Sequence, residues 1–89
     1  MITRHDVAYK LSDYLSHRLS IKQIVSWAEN AMMEEEFDHN HLETIRFIIS
    51  RLGLADVKEF GLSWDDCEDF LKRLGYTVRV DVSEANQRA

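Results

Sequence analysis

The chain is expected to fold as a mainly α domain, a four-helix bundle-like arrangement that carries one C-terminal β-strand. Three observations lead there. Four apolar stripes recur at helical spacing, each opened by a residue suited to an N-cap. Proline is absent, and only Gly53, Gly61 and Gly75 punctuate the 89 residues. One strictly alternating segment, 76 to 82, stands apart near the C-terminal end.

Taken in order, the first helix opens at Thr3, with Asp6 three residues on as a capping-box partner. Val7, Leu11, Tyr14 and Leu15 lie on its apolar face, and it is expected to run to about His17. The second opens at Ser20 with Gln23 as its reciprocal partner, Leu19 and Ile24 being placed to form a hydrophobic staple. Ile21, Ile24, Val25, Ala28 and Met32 form its stripe before it fades into Glu34-Glu35-Glu36. A turn follows at Phe37-Asp38-His39-Asn40, with Asp38 or Asn40 as the next cap. The third helix carries Leu42, Ile45, Ile48, Ile49 and Leu52, and Gly53 is placed to end it in the left-handed conformation.

Residues 54 to 62 are ambiguous, the run from 54 to 60 reading either as one helical turn or as a short strand. Ser63 then caps a fourth helix whose first turns hold Asp65, Asp66 and Glu68, where the helix dipole favours acids. Its stripe is Trp64, Cys67, Phe70, Leu71 and Leu74, with Lys72 and Arg73 in the last turn and Gly75 as the stop. The strand at 76 to 82 needs partners for its backbone. It can pair with 57 to 60, with its copy in a dimer, with a partner's sheet edge, or lie on the bundle with its backbone in water. Residues 1–82 are thus expected to form one domain, and 83–89 a flexible tail.

The net charge of −5 is unevenly spread. Glu34, Glu35, Glu36, Asp38 and Glu43 follow one another without an intervening Lys or Arg. Asp65, Asp66, Glu68 and Asp69 form a second cluster that Lys72 and Arg73 balance only in part. Such faces repel a phosphate backbone and attract a basic protein, so the expected partner is a protein and not nucleic acid. No apolar run is long enough to span a membrane, no basic-then-apolar leader precedes Thr3, and the single cysteine suits a reducing compartment. A cytoplasmic location is the expectation.

Chemistry-bearing constellations are sparse. His39 and His41 beside Asp38 are the weak candidates for a metal site, although such residues at a helix start also serve as caps and solvated polar groups. Cys67 lies on an apolar stripe between acids, which disfavours a thiolate. Neither a glycine-rich phosphate loop nor a zinc-binding spacing such as H-E-x-x-H is present. The expectation is a non-enzymatic domain without a cofactor; the rival is a small metal-dependent enzyme using His39 and His41.

More telling are apolar residues that miss the stripes: Tyr9, Met33 and Phe47, with Trp27 at a stripe's edge. Exposed aromatics and methionine mark contact surfaces. Tyr9, Trp27, Met33 and Phe47, with Glu34, Glu35, Glu36 and Asp38 as an acidic rim, are therefore the candidate partner-binding residues. Covering Tyr9, Met33, Phe47 and the Val78, Val80 and Val82 face also gives the chain reason to form a homodimer.

The run Leu19-Ser20-Ile21-Lys22-Gln23-Ile24-Val25-Ser26-Trp27-Ala28-Glu29, followed by an acidic turn and another amphipathic helix, resembles the small acidic helical bacterial immunity proteins of the colicin D type. The resemblance covers roughly residues 11 to 52 and lies in pattern, while the block from 61 to 82 has no counterpart in it. It implies a helical bundle that blocks a basic nuclease toxin with an acidic face, here carried by Glu34, Glu35, Glu36 and Asp38.

Overall fold

Three of the four helices begin where a side chain satisfies one of the first free N–H groups. In the computed structural model, which describes residues 1–34, 36–80 and 82, there are four α-helices: α1 (Arg4–Leu15), α2 (Ile21–Glu34), α3 (Leu42–Leu52) and α4 (Trp64–Arg73). Capping boxes open three of them. The Thr3 N–H donates to Asp6 Oδ2 at 2.9 Å, the Ser20 N–H to Gln23 Oε1 at 2.8 Å and the Ser63 N–H to Asp66 Oδ2 at 3.0 Å. The three hydroxyls accept in return from the backbone N–H three residues on. Before α3, Asp38 is the cap. Its carboxylate accepts from the Asn40 N–H at 3.1 Å and opens a single 3-10 turn, His39–His41, that leads into the helix.

Two helix ends share one design. The His17 N–H donates to Tyr14 O and the Arg18 N–H to Asp13 O, while after α4 the Gly75 N–H donates to Lys72 O and the Tyr76 N–H to Leu71 O. Both are Schellman closures with the C′ residue at positive φ, 64° at His17 and 94° at Gly75. The left-handed His17 is why α1 stops at Leu15, short of the expected end at His17. Gly53 corrects the sequence reading the other way. Its φ of −66° is right-handed, and the chain carries on through overlapping turns from 53 to 60.

Those turns also settle the strand. With 57 to 60 coiled into turns, the C-terminal segment has no neighbouring edge to pair with. It runs from 76 to 80 without ladder hydrogen bonds, Tyr76 and Val78 lying against the core. No strand forms among the described residues, and the expected C-terminal strand is withdrawn. Among the described residues, the one β-type contact is an isolated parallel bridge that clamps the N-terminus onto the α2–α3 connection. There the Ile2 N–H donates to Glu36 O at 2.6 Å, and the Asp38 N–H donates to Ile2 O at 2.9 Å.

The core is one cluster to which every helix contributes: Val7 and Leu11 from α1, Ile24 and Ala28 from α2, Ile45, Ile48, Ile49 and Leu52 from α3, and Cys67 and Phe70 from α4. The closest pairing is α2 with α3, and α1 packs mainly on α4. Two stripe residues are misassigned by helical spacing. Trp64 is 45% exposed and Met32 46% exposed, the buried position near the end of α2 being Ala31. Among the described residues, no helix is long and apolar enough to cross a membrane.

Candidate interaction surfaces

The α2–α3 pairing leaves an open groove of about 640 Å³ along its outer edge. Ala28 and Ile49, both buried, form its floor. Met32, Met33 and Leu54 line its sides, with Glu29, Asn30, Ser50 and Gly53 at its margins. Met33 is 82% exposed and Leu54 39% exposed, so this is apolar surface left in water. Position follows from local structure. The right-handed Gly53 turns the chain so that Leu54 comes back beside Ser50, and the Ser50 hydroxyl approaches Met32 Sδ at 4.0 Å. Around Met32 the groove meets a smaller hollow lined by Glu36, Phe37, His39, Leu42 and Arg46. Methionine's flexible, polarizable side chain suits such a surface to partners of irregular shape.

The residues singled out from sequence do not converge on one patch. Only Met33 lines the α2–α3 groove. Tyr9 is 62% exposed on α1 and stacks on His5, ring centroids 4.1 Å apart. Trp27 is half-buried against the core with Lys10 Nζ 5.6 Å from its ring centre. Phe47, 41% exposed, meets Phe70 edge-on at 6.1 Å and carries the Arg73 guanidinium 5.1 Å from its ring centre. It belongs to an aromatic–arginine ladder on the α3–α4 side that continues through Arg51, placed 5.7 Å from Phe70 and 5.6 Å from Phe60. Asp38 is half-buried and already engaged as a cap. Glu36 is exposed, while Glu35 and the side chain of Glu34 lie outside the described residues. The sequence gap in cations after Glu34 closes in space, because Arg46 of α3 enters the hollow beside Glu36.

His39 and His41 stand exposed on the 3-10 turn. Among the described residues, no three His, Cys, Asp or Glu side chains are grouped so as to hold a metal ion. The Cys67 thiol is fully buried, and burial first, then the Asp66 charge, push its pKa from 9.0 up to about 12. A thiol held protonated in this way is a packing group and not a nucleophile. Two features escaped the sequence: the Ile2–Phe37 clamp and a second cleft between α1 and α4 that the exposed Trp64 borders. Tyr9, an aromatic residue off the apolar stripe of its helix, was the available signal for the second.

No family model matches the chain, and no curated protein or solved structure matches it significantly.

Proposed function

We infer that this domain is a non-enzymatic protein-binding module whose docking surface is the α2–α3 groove. The observation that carries the reading is Met33, 82% exposed beside Met32 and Leu54 over a buried apolar floor. Covering a large apolar side chain contributes about 1.5–3 kcal/mol, so three clustered ones supply a substantial share of a binding energy. Glu29 at the margin, the one charged residue among the described residues lining the groove on a chain of net charge −5, favours a basic amphipathic segment as the occupant. The sharpest form of the proposal is an immunity protein that blocks a basic nuclease toxin in the bacterial cytoplasm.

The probe is a fluorescein-labelled helix of about four turns, with Leu at i, i+3, i+4 and i+7 and Lys elsewhere, titrated with the full chain by anisotropy. Saturable binding is expected, weakened at least tenfold by Met33→Glu, weakened again by added salt, and absent for the Leu/Glu counterpart. Equal binding of the Lys and Glu helices, or indifference to Met33→Glu, would overturn the reading. A second copy of the chain is the competing occupant. Light scattering of the free protein decides it, a mass of two chains that reverts to one in Met33→Glu favouring the homodimer.

A further inference from the structure

The second cleft, between α1 and α4, has the makings of a small-molecule site. It encloses about 480 Å³, within the usual range for ligand pockets. Ala8 and Leu71 are buried at its base, and three aromatic side chains, Tyr9, Trp64 and Tyr76, stand around it. The wall facing α1 is the segment that begins at Tyr76, and several contacts fix its first residue. Tyr76 is the last residue of the Schellman closure, its N–H donating to Leu71 O at 2.8 Å. The Arg4 guanidinium lies 5.3 Å from the Tyr76 ring centre and donates from Nη1 to Leu74 O at 2.9 Å. His5 Nδ1 and the Tyr76 hydroxyl are 3.1 Å apart. Tyr76, held by these contacts, meets a ligand with little further loss of side-chain freedom.

Arg79 supplies the polarity. It is the single charged residue among the described residues that line the cleft, and no hydrogen bond or ion pair with another described residue engages it. A lone guanidinium at an aromatic cleft, with the hydroxyl-bearing residues Ser12 and Thr77 also in the lining, matches a planar carboxylate. We propose that this cleft binds a small aromatic carboxylate, its ring set among Tyr9, Trp64 and Tyr76 and its carboxylate paired with Arg79. The site is separate from the α2–α3 groove and stands whether or not that groove binds protein.

The test titrates the full chain with 1-naphthoate and with the cationic 1-naphthylmethylamine by calorimetry, with the Trp64 indole N–H followed by NMR. Naphthoate is expected to bind one per chain and saturate below 1 mM, in the affinity range of simple pocket ligands. The amine should bind at least tenfold more weakly, and Arg79→Gln should cost naphthoate at least fivefold. Ser12→Trp, on the exposed edge of α1, should block the cleft while leaving helicity unchanged. Equal affinity for the two probes overturns the proposal, as does indifference to Arg79→Gln. Absence of saturation, or shifts at Met33 in place of Trp64, does the same.

Discussion

Replacing glycine by alanine at Gly75 and at Gly53 is expected to move stability in opposite directions, although both glycines lie just past the C-terminal end of a helix. At Gly75 φ is 94°, where a side chain is strained, and an added Cβ would lie 3.0 Å from Arg4 Nη1. The strain costs about 1–3 kcal/mol. Displacing the Arg4 guanidinium from Leu74 O and Tyr76 forfeits about 1 kcal/mol more. Lower chain entropy in the unfolded state offsets about 0.4–1 kcal/mol. The net is a loss of about 1–3.5 kcal/mol, or roughly 5–25 °C in Tm for a domain of this size. At Gly53 φ is −66°, and the added Cβ would meet Ile49 O and Ser50 O at 3.6 Å, ordinary contact. Only the entropy gain remains, and Gly53→Ala should stabilise by about 0.4–1 kcal/mol. Urea denaturation followed by circular dichroism measures both. Equal destabilisation by the two substitutions would refute the right-handed assignment of Gly53, and a neutral Gly75→Ala would refute the closure after α4.

Further outcomes follow from the same geometry. His17→Gly should raise stability by about 0.5–1 kcal/mol in urea melts, because the C′ residue of α1 sits at φ 64°. Cys67 should resist Ellman's reagent until the chain unfolds. Above pH 9 an unfolded chain ionises this thiol while the native one keeps its proton to about 12, so the native state binds more protons and stability should fall across that window. Comparing the alkaline slope with that of Cys67→Ala isolates the contribution. Phe47→Ala should cost about 1–2 kcal/mol by chemical denaturation through the lost Phe70 edge contact and the Arg73 stack. A cost near zero would return Phe47 to the set of bare interface residues.

The helix starts were legible because a capping box is a local object. Thr3 with Asp6, Ser20 with Gln23, and Ser63 with Asp66 each complete their hydrogen bonds within four residues, so the sequence contains every partner. Helix ends were less legible. His17 adopts a left-handed conformation that glycine more often signals, and Gly53 is a glycine that does not use one. The C-terminal segment failed for a different reason. Alternation from 76 to 82 states which face is apolar, but a ladder also needs an edge, and 57 to 60 turn instead of extending.

The surface residues show where pattern reasoning stops. Angle on a helix tells which side chains share an arc, while exposure depends on what the neighbouring element leaves uncovered. Trp64 and Met32 fall on apolar arcs yet stand at the rims of clefts. Tyr9, Met33 and Phe47 all fall off their arcs and meet three fates. Tyr9 stacks on His5, Phe47 packs edge-on against Phe70 beneath Arg73, and Met33 remains bare. A side chain already engaged with its own chain loses those contacts on meeting a partner, and that loss subtracts from binding. Met33 has little to lose, so of the three it offers the largest net gain on being covered. The functional reading therefore rests on Met33 and its groove, and not on the wider set of apolar residues from which it was drawn.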